Sequence, residues 1–301
     1  MFEGIYAALL TPCDEAGDVD EPKLRALVDF LVGKSISGLY ICGNTGQGVY
    51  FSVAERMRIA EVVKEQVAGR AEIISHIACI STRDTKALVD HAGEIGLDAV
   101  SSLSPIYWGY SDGEVVQYYR DIMADAKVPC MMYIKAGAGA PEMEMSTILE
   151  VAKVPGVVGM KYTSANFYKM QNIMQRLGSD FMVLSGPDEL FLPALTMGVR
   201  GSIGTTHNVF PELFQAIRRH FKAGEIAKAM AVQEVVTRIV TLYSPYGSHV
   251  TAQTLLTLRG LELGLCRKPV TPRVPEAAVK ALLDKARAFI AACPEPIALE
   301  G

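Results

Sequence analysis

Between residue 5 and residue 222, a short apolar run closed by a turn signal is repeatedly followed by a stretch whose apolar positions recur at helical spacing, and the alternation runs through eight units without interruption. Short apolar runs between turn residues suit strands buried on both faces, and strand–helix alternation with short connections makes those strands parallel neighbours. Eight units predict closure into a (β/α)8 TIM barrel rather than an open doubly wound sheet. A chain of 301 residues, half of them hydrophobic, can fill a core of that size.

Strands are expected at 5–10, 38–43, 73–78, 99–103, 130–134, 157–161, 181–185 and 201–204. Asp20 and Pro22 open a first helix whose Leu24, Leu27, Val28 and Leu31 share one face, and Ser52-Val53-Ala54-Glu55 is a capping box for a second that runs to about Ala68. Further helices are expected at 82–95, 112–126, 145–153, 167–177, 189–197 and 211–222. Gly96, Gly156 and Gly198 each stand where a helix must end just before a strand begins. After Ala223 the strands stop, and 225–244, 248–264 and 275–292 read as three helices. The predicted organisation is a barrel over 1–223 carrying a C-terminal three-helix extension over 224–301.

A net charge of −4 without blocks of like charge leaves no electrostatic footprint for nucleic acid, so a small-molecule substrate is expected. The first ten residues lack a basic segment and a long apolar run, which predicts a cytoplasmic protein with no membrane partner. Six cysteines without a short paired spacing indicate neither a disulfide framework nor a zinc site. Cys42, Cys79 and Cys130 read as small core residues on strands, and among the five histidines only His207 stands near candidate chemistry. No metal and no cofactor are expected.

In a parallel barrel, chemistry sits at the carboxyl ends of the strands. That rule selects Thr11, the Gly43-Asn44-Thr45-Gly46-Gln47-Gly48 loop, Tyr107, Tyr133 with Lys135, Lys161 with Thr163, Gly186-Pro187-Asp188-Glu189, and Gly204-Thr205-Thr206. The glycines of the second loop let a backbone approach a small carboxylate or phosphate closely, although an ordinary turn reads the same way, and the spacing is neither a P-loop nor a dinucleotide fingerprint. Lys161 closes an apolar run. It is either a strand-end lysine reaching for water or a buried amine depressed enough to act as a nucleophile. Tyr133 falls beside it on the neighbouring strand, as a proton shuttle or as a core tyrosine with a satisfied hydroxyl. Lys135 is a candidate second cation that would help keep Lys161 neutral.

Taken together, Gly43-Asn44-Thr45-Gly46, Tyr133, Gly159-Met160-Lys161 and Gly186-Pro187-Asp188 resemble, in order and spacing, the N-acetylneuraminate lyase and dihydrodipicolinate synthase family of pyruvate-dependent class I aldolases. The resemblance implies that Lys161 forms a Schiff base with pyruvate or another 2-oxo acid, that Tyr133 moves protons, and that Asn44 and Thr45 hold the pyruvate carboxylate. It also implies that Tyr107 reaches into a neighbouring subunit's site, in a dimer at least and in the family's usual homotetramer. Asp188-Glu189, Gly204-Thr205-Thr206-His207-Asn208, Leu265-Cys266-Arg267-Lys268-Pro269 and Thr163 lean toward the lyase branch, which cleaves sugar acids to pyruvate and an aldehyde. Ala138 stands where the synthases carry a carboxylate-binding arginine. Gln47 replaces the family's glutamate, and Ile134-Lys135-Ala136 replaces its Asn-x-Pro, which leaves Lys135 either recognising a second acidic group or pointing to solvent. A dehydratase of a 2-oxo-3-deoxy acid, a dihydrodipicolinate synthase and a non-catalytic binding homologue are the alternatives.

Overall fold

In the computed structural model, which describes residues 2–135, 142–271 and 273–299, the apolar runs pair in parallel into a closed barrel in strict chain order. Its strands are β1 Gly4–Ala8, β2 Gly38–Ile41, β3 Glu72–His76, β4 Ala99–Ser102, β5 Cys130–Lys135, β6 Val157–Thr163, β7 Met182–Ser185 and β8 Gly201–Gly204. β8 returns to β1 with Gly4 opposite Gly201. Between and after them lie α1 Glu21–Gly33, α2 Val53–Val67, α3 Thr82–Glu94, α4 Asp112–Met123, α5 Met145–Val151, α6 Phe167–Leu177, α7 Phe191–Thr196, α8 Pro211–Lys222, α9 Ile226–Thr241, α10 Ser248–Leu255 and α11 Glu276–Ala291.

Local chemistry accounts for the boundaries. Asp20 caps α1 with Pro22 in its first turn, and Ser52 and Glu55 form the expected capping box on α2. Gly96, Gly156 and Gly198 all have positive φ, as the reversal from helix to strand requires. Along each strand, alternate side chains point to opposite sides. Tyr6, Tyr40, Ile74, Ala99, Met131, Leu184 and Ile203 therefore fill the barrel interior, while Leu39, Ile41, Met132 and Ile134 pack outward against the helices.

Three expectations need correction. The helix expected over 248–264 ends at Leu255, with one 3-10 turn over Leu256–Leu258, because Gly260 and Gly264 adopt positive φ and Leu265 turns back to exchange two 2.9 Å backbone hydrogen bonds with Cys13. Cys42 and Cys79 lie just beyond strand ends rather than on strands, Cys42 in a left-handed conformation and Cys79 only half-buried. The 189–197 segment divides into a 3-10 turn over Asp188–Leu190 followed by α7.

Candidate active site

β5 and β6 set the centre of the barrel mouth by their register, which puts Tyr133 opposite Lys161 and Lys135 opposite Thr163. Lys161 is 5% exposed. Its Nζ sits over two aromatic faces, 4.4 Å from the centroid of Tyr133 and 4.3 Å from that of Tyr40, rings that meet edge to face at 81°. Burial pulls the amine down to about 7; the Asp188 carboxylate opposes that shift and Lys135 reinforces it. An amine close to half neutral at physiological pH is the state a lysine nucleophile needs. The snorkelling alternative fails, since the side chain turns inward rather than to water.

Tyr133 is buried, which pushes its phenol up to about 12. Thr163 pulls the other way, although its Oγ1 makes no hydrogen bond among the described residues. Asp188 Oδ2 accepts the Thr206 backbone N–H at 2.8 Å, while Asp188 Oδ1 is buried without a partner among the described residues. Buried polar atoms are ordinarily satisfied, so these two orphans mark where water or a substrate hydroxyl would bind. Both lie at a cavity of about 400 Å³ that Gly186, Glu189 and Thr205 also line. A Cβ on Gly186 would fall 1.8 Å from Thr163 Oγ1, and one on Gly204 would fall 1.7 Å from Asp188 Oδ1. The two strand-end glycines make that side of the cavity possible. A larger cavity of about 500 Å³, between the loop after β1 and the segment joining α10 to α11, contains none of these groups, and chemistry rather than volume selects the smaller one.

The loop after β2 reaches the same mouth. Thr45 Oγ1 is hydrogen-bonded to Thr205 Oγ1 at 2.7 Å. Asn44 is exposed, and its backbone carbonyl accepts the His249 Nε2–H at 2.8 Å. Gln47 faces away from the cavity. Buried to 2% exposure, its amide brackets the Arg267 backbone, donating from Nε2 to the carbonyl at 2.9 Å and accepting the N–H on Oε1 at 3.0 Å. A glutamine can do both and a carboxylate only the second, so Gln47 ties the C-terminal segment down instead of tuning the substrate end. Tyr107 stands apart from the cluster, 86% exposed with φ +87°, beside Trp108 at 72%. Ala138 falls outside the described residues. Beyond that gap, Glu142 accepts hydrogen bonds from Tyr162 at 2.8 Å and Ser164 at 3.0 Å, with Lys169 Nζ at 3.2 Å.

Two residues of the centre were missed by reading strand ends alone. Tyr40, one step inside the end of β2, donates to Ser101 Oγ at 3.0 Å and lies 3.2 Å from His76 Nδ1. His76 packs edge-on to Tyr133, with centroids 5.7 Å apart, and burial holds it neutral, assisted by the nearby Arg56 and Lys161 charges. Inward alternation along Gly38-Leu39-Tyr40-Ile41 was the signal that would have found Tyr40. His207 is buried, with its Nδ1 2.7 Å from the Tyr6 carbonyl and 3.0 Å from the Gly204 backbone nitrogen. Burial lowers its pKa, so its 3.8 Å approach to Asp188 is a polar contact of a neutral ring rather than an ion pair.

Comparison with known proteins gives a consistent picture. The family described as "Dihydrodipicolinate synthetase family" matches residues 1–285. The N-acetylneuraminate lyase of Salmonella paratyphi B is 34% identical over 273 residues, covering 90% of this chain and 92% of that protein. That of Rhizobium meliloti is 33% identical over 283 residues, 94% of each. Among solved structures, the wild-type Ruminococcus gnavus sialic acid aldolase superposes with a TM-score of 0.92 at 26% identity, covering 97% of this chain and 98% of that one. CdNal from Clostridium difficile, solved in complex with mannosamine, gives 0.89 at 27% identity, covering 97% and 99%.

Proposed function

The chain belongs to the dihydrodipicolinate synthetase family, and we propose that its barrel mouth runs a reversible class I aldolase reaction on a 2-oxo sugar acid, with Lys161 as the imine-forming residue. It is a carbon–carbon lyase of the pyruvate-dependent type. The neutral amine of Lys161 attacks C2 of a 4-hydroxy-2-oxo acid and water leaves. The C4 hydroxyl gives up its proton, the C3–C4 bond breaks into the imine to leave an enamine, and an aldehyde departs. C3 then takes a proton and water hydrolyses the imine to pyruvate. Tyr133, beside Lys161 and protonated at neutral pH, carries the protons, with Tyr107 of a neighbouring subunit completing the relay. Asn44 and Thr45 hold the carboxylate of the pyruvate half. Thr163, Gly186, Asp188, Glu189, Gly204 and Thr205 receive the hydroxyls of the aldehyde half.

One observation carries this reading: a fully enclosed lysine at the end of β6, brought to about 7 and flanked by two aromatic faces. Borohydride reduction with pyruvate, followed by peptide mass mapping, tests it. An adduct on Lys161 is expected; no adduct removes the mechanism, and one on Lys135 moves the nucleophile. Pyruvate release, followed with a lactate dehydrogenase couple, separates cleavage from dehydration.

The rest of the reading concerns the whole chain. The barrel over 1–223 and the extension over 224–301 act as one unit, a reading supported by the hydrogen bond between Tyr243 and Thr206 at 2.8 Å and by the His249 and Arg267 contacts to the second loop. A homotetramer is supported by the exposed Tyr107 and Trp108. Cytoplasmic placement is supported by six free cysteines. Among the described residues, no helix is long and apolar enough to cross a membrane.

A further inference from the structure

Among the described residues, Lys135 is a charged group at the mouth that a neutral sugar tail leaves unused. It is the last residue of β5, two positions beyond Tyr133. Met131 packs in the barrel interior, Ile134 packs outward, and Tyr133 faces Lys161, so the strand's alternation turns Lys135 inward above Tyr133. Its partner across the sheet is Thr163, whose Oγ1 has no hydrogen bond among the described residues. Lys135 is half-buried, and among the described residues it makes neither a hydrogen bond nor an ion pair. Of the buried carboxylate of the mouth, Asp188, one oxygen accepts the Thr206 N–H and the other makes no hydrogen bond among the described residues, while its charge acts on Lys161 and His207. The Lys135 charge is felt at three points around the opening, at Lys161, at His76 and at His249 on α10. An ammonium aimed into a half-enclosed site is best satisfied by an anion, and among the described residues no carboxylate pairs with it.

We propose that Lys135 binds a second carboxylate on the substrate, so that the site takes a 2-oxo diacid and releases an aldehyde that itself carries a terminal carboxylate. Two residues along a strand advance about 7 Å. At about 1.5 Å per carbon–carbon bond along a zigzag chain, the second carboxylate lies about four to six bonds from the imine carbon. That length corresponds to an aldehyde product of three to five carbons. The inference rests on the aldolase reading and narrows its substrate. The imine still forms on Lys161, whose amine Lys135 also helps to lower, and the proposed carboxylate contact is to the part of the substrate that leaves.

The test runs in the condensation direction, with pyruvate and two four-carbon aldehydes, succinate semialdehyde and butanal. Wild-type protein is expected to favour the charged aldehyde by at least ~10-fold in kcat/KM, the scale of one charge-assisted hydrogen bond. Lys135→Met should collapse that ratio to within about twofold, chiefly through KM for the semialdehyde, and Lys135→Arg should restore most of it. A wild-type ratio near one overturns the proposal, as does a ratio that survives Lys135→Met. Borohydride trapping with pyruvate alone is run on the same samples. Trapping at Lys161 without carboxylate preference sinks only this inference, whereas no trapping in the wild type sinks the aldolase reading and this inference with it. The wild-type comparison decides even if a variant fails to fold.

Discussion

Lys161 shows how a single residue is prepared for chemistry at the expense of stability. Its amine is brought from 10.5 to about 7 chiefly by burial, so the folded protein binds fewer protons than the unfolded chain between those values. Two predictions follow from the sign of that difference. The initial rate of pyruvate trapping by borohydride should rise about tenfold per pH unit below 7, as the neutral amine accumulates, and level off above it; a rise that continues without a plateau past pH 9 would remove the depressed amine. Stability should increase with pH from 7 toward 10.5 and be lowest below 7. Lys161→Met removes the buried amine, and should abolish trapping while raising stability by about 1–2 kcal/mol at pH 6, with a smaller gain at pH 9, read from thermal melts at both values. Strand-end position alone nominated Lys161, Tyr133 and Thr163 as candidates, with Lys161 still open between a nucleophile and a lysine reaching for water. Tyr40 and His76 were not nominated: Tyr40 lies one step inside the end of β2, His76 closes β3 two residues before the end expected for that strand, and both matter through the faces of their rings, which no residue type announces.

At the scale of elements, the loop after β2 and the C-terminal segment behave as one piece. Gln47 spans 220 positions of sequence to pair with both backbone groups of Arg267. Arg267 in turn donates to Glu55 at 2.7 Å and to the Gly17 carbonyl at 2.6 Å, and lies over the Phe51 ring at 4.8 Å. Gln47→Ala would leave a buried N–H and C=O unpaired. It should cost about 1–3 kcal/mol in denaturant unfolding and, through the adjoining Asn44 and Thr45, raise KM for pyruvate. An unchanged unfolding midpoint would refute the bracket. In the sequence Gln47 stood as a departure from the family's glutamate; the fold turns its side chain to the C-terminal segment. Strand positions came through nearly intact because turn glycines and apolar runs are local signals, whereas the end of α10 moved because Leu265 pairs with Cys13, a contact set by the closed barrel.

For the whole molecule, the exposed aromatic pair after β4 carries the expectation. Tyr107 adopts φ +87°, a conformation that costs a non-glycine residue on the order of 1–3 kcal/mol and persists only where something repays it. In the proposed assembly a neighbouring subunit does so. Trp108→Glu should shift the protein to a smaller species in sedimentation velocity. Tyr107→Phe should keep the assembly and lower kcat by at least ~10-fold, as expected on removing a proton-relay group. A monomeric wild type would end that account.

By itself the sequence determined the barrel, its strand order and the residues at the strand ends, since each follows from periodicity, turn chemistry and the rule that parallel barrels work at their carboxyl face. Tertiary structure alone decided which of those residues act together. The register of β5 on β6 fixes Tyr133 directly opposite Lys161, as their adjacent strands led one to expect, but only the packed interior supplies Tyr40 and the desolvation that brings an ordinary lysine to about 7. Desolvation and ring-face contacts are properties of three-dimensional surroundings built from residues far apart in the chain. For the same reason Lys135, ambiguous in sequence between solvent and substrate, acquires a direction only once the strand it ends is known to run that far.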